Sequence, residues 1–154
     1  MNKLSLTDTL AMKDEEADRI IKGWTFGSLV GNLLPPPFDS IVVAGAFARM
    51  GQAIGKVYGV PVDFKLLKDM GGSMAKGVGT VAGASYIGSG IFKWIPGVNI
   101  WVALLVQPPL VAAIAFSVGN AFKKFYRIRI LEGRDLTPAE IREIAEGYLA
   151  KKLQ

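Results

Sequence analysis

The sequence contains neither cysteine nor histidine. Without cysteine there are no disulfide bonds and no thiolate nucleophiles, and without histidine there is no imidazole base. The two absences also remove the usual ligands of zinc and haem. Acidic residues never occur in pairs inside an apolar stretch, so two carboxylates have no protected place in which to act as acid and base. We therefore expect no enzymatic activity and no cofactor.

The N-terminal segment, residues 1–23, lacks the apolar core of a secretory signal peptide. It carries charges of both signs up to Lys22 and has the pattern of an amphipathic helix. We therefore expect a protein that faces the cytoplasm.

The composition is richer in glycine and in apolar residues than that of an ordinary soluble domain. Of the 154 residues, 51% are hydrophobic and 18 are glycine, and the mean hydropathy is +0.34. This length predicts one domain with its own core, and the composition favours contact with a membrane. The net charge of +5 does not favour nucleic acid as a partner, because the cations flank apolar segments and no known nucleic-acid-binding fold is visible.

Small residues recur at every fourth position in three apolar runs. A glycine inside a helix costs about 1 kcal/mol relative to alanine, and close approach of a neighbouring helix would offset that cost. We expect these ladders to be contact surfaces, both between helices and between copies of the chain. Their members are Gly23, Gly27 and Gly31; Gly51, Gly55 and Gly59; and Gly71, Ala75, Gly79 and Gly83.

Three consecutive prolines predict the tip of a first helical hairpin over residues 24–60, because Pro35, Pro36 and Pro37 cannot continue a helix. Asp39 or Ser40 is expected to cap the returning helix, which should end at Gly59. The uncharged arms are roughly 11 residues long, about half of the ~20 residues that crossing a bilayer needs. This hairpin is expected to dip into a membrane without spanning it.

A second hairpin is predicted over residues 62–126, with its tip at Pro96 and Gly97. Its apolar arms, Gly77 to Phe92 and Trp94 to Phe122, are long enough to cross a bilayer. The second arm should begin near Ile100, bend at Pro108 and Pro109, and end near Lys124. A polar connection containing Lys65, Lys68 and Asp69 is expected to precede the first arm.

The C-terminal residues 137–153 are predicted to form a polar helix with one face in water. Its start is marked by Thr137, Pro138, Ala139 and Glu140, which have the pattern of a capping box with proline at the first helical position. The fold class is therefore all-α, with two proline-tipped hairpins and this helix.

Basic residues follow the last apolar arm directly, and aromatic residues lie near the second tip. Such residues favour the membrane interface, and the excess of cations on this side predicts cytoplasmic termini. The residues expected at lipid head groups or at the surface are Lys123, Lys124, Arg127, Arg129, Trp94 and Trp101.

A further polar set lies on the predicted second helix. Arg49, Gln52 and Lys56 are spaced to share one face. The face either turns to water and head groups or forms a site for a partner or a lipid phosphate. Residues 77–82 match the dinucleotide pattern GxGxxA, but no strand precedes them, so we interpret them as part of the glycine ladder.

Several motifs resemble the YcjF-type membrane domain that often follows a Ras-like or Era-like GTPase domain in bacteria. They are LPPPFD at 34–39, Gln52, Ile54, KVYGV at 56–60, KWIPG at 93–97, Gly119 and Phe125-Tyr126. The resemblance spans about residues 30–127 and implies a helical, membrane-associated module of unsettled biochemical role. No phosphate-loop or magnesium-binding aspartate motif occurs, so a GTPase would have to act in trans.

Together these patterns predict a non-enzymatic structural protein that inserts helical hairpins into a membrane and forms homo-oligomers. A soluble all-α shell or filament is the first alternative, since the arms of the first hairpin are short. A pore former is the second alternative, although no acidic ring or selectivity sequence supports it.

Overall fold

The computed structural model describes residues 3–30, 40–87 and 108–153, and these ranges contain helices and no strand. This confirms the predicted all-α fold. The five helices in the described ranges are α1 (Lys3–Val30), α2 (Ser40–Tyr58), α3 (Phe64–Ile87), α4 (Pro108–Glu132) and α5 (Pro138–Lys152). The predicted hairpin tips at Pro35 to Pro37 and at Pro96 and Gly97 lie outside these residues, as do Trp94 and Trp101.

Helix α4 contacts each of the other four helices of the described ranges. It packs against α1, α2 and α5, and its aromatic residues Phe122, Phe125 and Tyr126 are completely buried. Other large buried side chains come from α2 and α3, such as Ile54 and Met74. The predicted end of this helix near Lys124 is wrong, because the helix continues to Glu132 and stops at Gly133, which has a φ of +68°. Its predicted start near Ile100 lies outside the described residues, and the predicted bend at Pro108 and Pro109 falls at their edge.

Contacts between residue pairs give the directions of the helices. Ile21 meets Gly119, and further along the same helices Asp14 meets Arg127, so α1 and α4 are antiparallel. Helices α2 and α4 are parallel, because Gly51 and Gly55 face Phe122 and Tyr126 in the same order. Since α2 and α3 form a tight antiparallel hairpin, the C-terminal ends of α1 and α3 and the N-terminal ends of α2 and α4 point to the same end of the bundle.

The turn between α2 and α3 forms as the local sequence predicts. Helix α2 ends at Tyr58, and Gly59 takes a left-handed φ of +69° that suits glycine. Helix α3 starts at Phe64, after five connecting residues, and the Asp63 carboxylate accepts a hydrogen bond from the backbone of Lys65. The prediction of a polar connection at Lys65, Lys68 and Asp69 is therefore wrong, since these residues lie on the first turns of α3.

The C-terminal helix has the predicted capping box. The backbone of Glu140 donates to the Thr137 hydroxyl at 3.2 Å, and the backbone of Thr137 donates to the Glu140 carboxylate at 3.1 Å. The pKa of Glu140 lies below its usual value, chiefly because its carboxylate accepts a hydrogen bond from the Thr137 backbone. One face of the helix is buried through Ile141, Ala145 and Leu149. Through that face α5 packs against both α3 and α4, which touch each other only slightly.

Candidate functional site

Two glycines of α2 make room for aromatic rings of α4. A Cβ atom added to Gly51 would lie 2.6 Å from Cε1 of Phe122, and one added to Gly55 would lie 2.5 Å from the hydroxyl of Tyr126. Both distances are too short for a real contact, so these positions require glycine as the rings now lie. The contact joins a ring to a glycine backbone and differs from the backbone-to-backbone packing that the ladder predicts.

Close backbone packing does occur between α2 and α3. A Cβ atom on Gly71 would lie 2.5 Å from the backbone oxygen of Ala44 and 3.3 Å from Cβ of Phe47. The following ladder members Ala75 and Gly79 are also buried. The third ladder therefore faces the interior of the bundle over these residues.

The remaining ladder members differ in their surroundings. Gly23 and Gly59 are exposed, and a Cβ atom on either would meet nothing within 4 Å. Gly59 serves the turn after α2 and not a helix contact. Gly31 and the surroundings of Gly27 and Gly83 lie outside the described residues.

Sequence reasoning did not identify two close contacts at glycines that are not among the fourth-position members named for the ladders. A Cβ atom on Gly119 would lie 2.7 Å from Cγ1 of Ile21 in α1. One on Gly77 would meet the side chains of Arg142 and Glu146 in α5. The available signal in each case was the glycine itself, which costs a helix about 1 kcal/mol relative to alanine.

Ion pairs hold α1 against α4. Lys123 donates to the Asp18 carboxylate at 2.8 Å, and Arg127 pairs with Asp14. Arg129 pairs with Asp135 at 3.4 Å, just after the end of α4. Of the basic residues predicted to meet lipid head groups, these three therefore bind carboxylates of the chain itself. Lys124 is exposed.

A stacked pair of tyrosines joins α1, α2 and α4. The rings of Tyr58 and Tyr126 lie 5.9 Å apart at an angle of 14°. The Tyr58 hydroxyl donates to Asp14 at 2.5 Å, while Lys13 donates to the Tyr58 backbone oxygen at 3.2 Å. Burial raises the pKa of both phenols well above the usual value of 10, and the hydrogen bond to Asp14 adds to the effect at Tyr58. Both groups are neutral at physiological pH and act as structural contacts.

A groove of about 590 Å³ lies between α1 and α2. The predicted set of Arg49, Gln52 and Lys56 lines it, and all three side chains are exposed on one face of α2. The remaining lining residues are Glu16, Ile20, Ala53 and Val57. The structure thus confirms that the three polar residues share a face, and it places them beside apolar side chains and one carboxylate.

Charge is absent from four helix ends that point the same way. Within the described residues, α1 has no charged side chain after Lys22, and α2 has none before Arg49. Likewise α3 has none after Lys76, and α4 has none before Lys123. We call these four stretches the uncharged end of the bundle. None of the helices in the described ranges combines the length and the hydropathy that crossing a membrane requires.

Comparison with known proteins gives one informative likeness. The chain is 27% identical over 115 residues to magnetosome membrane protein 22 of Magnetospirillum gryphiswaldense, an alignment that covers 74% of this chain. The chain spans 59% of the length of that relative. No protein-family model and no solved structure matches.

The geometry offers surfaces for binding and packing. Over the described residues, no group of three or more acidic side chains is close enough together to hold a metal ion. The side chains of Tyr58, Asp14 and Arg127 form a polar cluster between α1, α2 and α4, and each of them already has a partner within the chain. The uncharged end and the groove between α1 and α2 are therefore the two candidate functional surfaces.

Proposed function

We propose that this chain is a non-enzymatic structural protein that associates with a membrane through the uncharged end of its helical bundle. The observation that carries the proposal is that four helix ends without charge point in one direction, while charged residues occupy the rest of α1 to α4. The part of this end that lies beyond Lys152 of α5, whose ammonium is 4.2 Å from the centre of the Phe116 ring, can enter the apolar part of a bilayer without burying a charge, which would cost several kcal/mol. The similarity to a protein named as a magnetosome membrane protein supports the same association.

Insertion of hairpins is the finer part of the proposal. The chain leaves α1 and returns to α2 at the uncharged end, and it leaves α3 and returns to α4 there as well. By sequence, Asp39 is the one charged residue in 31–39, and Lys93 is the one in 88–107. We propose that these two stretches enter the membrane from the cytoplasmic side, with both termini remaining in the cytoplasm.

Self-association completes the proposal, although the buried glycines no longer argue for it. Gly51, Gly55 and Gly71 already pack against side chains and backbone of their own chain. Two other glycines, Gly23 on α1 and Gly45 on α2, have open space where a Cβ atom would lie. We propose that these smooth outer faces of α1 and α2 contact a second copy.

Flotation with vesicles tests the membrane association. The protein should float with phosphatidylcholine vesicles, and Thr80→Asp, which adds a charge to an exposed position at the uncharged end, should weaken binding about tenfold because a charge is costly in the interface. Ala139→Asp is the matched control, since it adds the same charge to an exposed position outside the uncharged end, next to Pro138, whose backbone oxygen accepts a hydrogen bond from Ser73 of α3.

Each result of this test has a definite meaning. Equal binding by the two variants would contradict the role of the uncharged end. A wild-type protein that stays in the aqueous fraction as a monodisperse assembly would favour the soluble shell or filament instead. Leakage of a dye from the vesicles at the binding concentration would favour the pore former.

A further inference from the structure

The groove between α1 and α2 has its polar groups arranged along one helix. Arg49 and Lys56 are seven residues apart on α2, which places their backbones about 10 Å apart on the same side of the helix. Gln52 lies between them, so two cations and an amide donor border the same space. Glu16 of α1 is the one carboxylate among the lining residues.

The two cations of the groove have no ion-pair partner among the described residues. Arg49 and Lys56 are both exposed, and neither comes within 4 Å of a carboxylate oxygen, including that of Glu16. In contrast, Lys123 and Arg127 on α4 form ion pairs with aspartates of α1. The groove therefore presents two positive charges to one negative charge and is suited to an anion. An arginine side chain in particular can donate two hydrogen bonds to a phosphate group.

The groove also has an apolar part. Ile20 from α1 and Ala53 and Val57 from α2 line it, and each is partly buried. Ala53 and Val57 are four residues apart and thus neighbours on the helix surface. A ligand that carries an anionic group joined to an apolar chain would match both parts of the lining.

The position of the groove agrees with a ligand that comes from a bilayer. Arg49 is the first charged residue of α2 after the uncharged end, and Lys22 is the last charged residue of α1 before it. The groove thus begins where the side chains change from uncharged to charged. Phosphate groups of a membrane would lie at that level if the uncharged end enters the bilayer.

We propose that this groove binds an anionic phospholipid. Arg49, Lys56 and Gln52 hold the phosphate and the rest of the head group, and Ile20, Ala53 and Val57 contact the carbon atoms of its glycerol backbone, while the acyl chains extend toward the uncharged end. The inference rests on the proposed function, because it takes the bundle to lie on a membrane, and it adds the chemical class of the lipid and the residues that recognise it.

Vesicle co-sedimentation of the full chain tests the inference. Vesicles of phosphatidylcholine alone are compared with vesicles that also contain phosphatidylglycerol. The variant R49Q/K56Q should bind the anionic vesicles about 30-fold more weakly, which corresponds to about 1 kcal/mol for each basic residue near an anionic surface. The control K65Q/K76Q removes the same charge from exposed positions on α3 and should change binding much less. Circular dichroism establishes that both variants keep the helical fold.

The outcomes separate this inference from the proposed function. Equal losses of vesicle binding in the two variants would show that net charge alone attracts the protein, and would overturn the assignment of the groove as the lipid site. Wild-type binding without preference for phosphatidylglycerol would also overturn it, while leaving the proposed function standing. Failure to bind either kind of vesicle would contradict the proposed function. Displacement of the protein from vesicles by millimolar inorganic phosphate, at constant ionic strength, would identify free phosphate as the occupant and overturn the lipid assignment.

Discussion

The hydroxyl of Tyr126 donates a hydrogen bond to the backbone oxygen of Gly51, at 2.8 Å, across the interface between α4 and α2. The same ring covers Gly55, one turn further along α2. One aromatic side chain thus contacts two glycines, since its ring lies over Gly55 and its hydroxyl binds the backbone oxygen of Gly51. Tyr126 explains the glycine at position 55, and the ring of Phe122 explains the glycine at position 51, despite the cost to the helix.

Replacing Gly51 should destabilise the bundle because Phe122 occupies the space of the new side chain. We expect Gly51→Ala to lower the free energy of unfolding by about 1–3 kcal/mol, as overpacking of a core does. The matched control is Gly45→Ala on the same helix, where a Cβ atom meets nothing and the helix should gain up to about 1 kcal/mol. Urea unfolding of the two variants measures both effects. Equal stabilisation by the two changes would contradict the packing described for Gly51.

Changing both Gly51 and Gly55 to leucine should disrupt the fold of the chain as well as its self-association. The ladder interpretation predicts loss of self-association with helicity retained. The structure instead places Phe122 and Tyr126 where the leucines would go, so the chain should lose its tertiary packing. Near-ultraviolet circular dichroism should lose its aromatic signal, and a preserved signal would count against this view.

Removing the hydroxyl of Tyr126 should have a smaller and more specific effect. Tyr126→Phe keeps the ring over Gly55 and removes the hydrogen bond to Gly51. A single bond of this kind contributes about 0.5–1.5 kcal/mol. Tyr148→Phe on α5, at a partly buried position, serves as the control. Thermal and urea unfolding should separate the two variants, and indistinguishable curves would mean that the bond contributes nothing.

High pH should destabilise the fold through the two stacked tyrosines. Burial raises the pKa of Tyr58 and Tyr126 in the folded protein above the unfolded value of 10. A raised pKa means that the folded state holds the proton more tightly, so this contribution is complete below pH 10 and decreases above it. Each tyrosine should reduce the free energy of unfolding by about 1.4 kcal/mol per pH unit in that range.

Unfolding measured from pH 8 to pH 11.5 would show this dependence. The variant Y58F/Y126F should have a clearly shallower slope above pH 10 than the wild-type protein. All other titratable groups are the same in both proteins, so the comparison isolates the two phenols. Identical slopes would contradict the assignment.

Asp14 should matter more than Asp18 for the attachment of α1. The Asp14 side chain is only 16% exposed and accepts from both Tyr58 and Arg127, whereas the Asp18 side chain is 45% exposed and pairs, among the described residues, with Lys123. We expect Asp14→Asn to cost about 2 kcal/mol, because hydrogen bonds to a buried charge are strong, and Asp18→Asn to cost less than about 1 kcal/mol. Hydrogen exchange along α1 would report the loosening, and a larger effect at Asp18 would contradict this order.

Short-range features of the fold were predictable from the sequence. The end of α2 at Gly59 and the capping box at Thr137 depend on residues within a few positions of one another, so the local pattern contains the whole cause. The shared face of Arg49, Gln52 and Lys56 follows from helical spacing alone.

Long-range features were not predictable in the same way. The basic residues of α4 match a membrane boundary as well as they match the aspartates of α1, and only the packing of α1 decides between the two. Asp18 and Lys123 are separated by 105 positions, so no local pattern links them. Likewise, the ladder at Gly51 and Gly55 indicated a close neighbour but could not identify it as the rings of Phe122 and Tyr126.

The same separation has a consequence for biosynthesis. Helix α1 leaves the ribosome long before its partner α4 exists, since at typical rates of translation the 105 positions from Asp18 to Lys123 take about 5–20 s. During that interval Leu10, Ala17 and Ile21, which are buried in the finished bundle, have no α4 to cover them. The nascent chain therefore offers an apolar helix face to chaperones or to a nearby lipid surface before its own core can close.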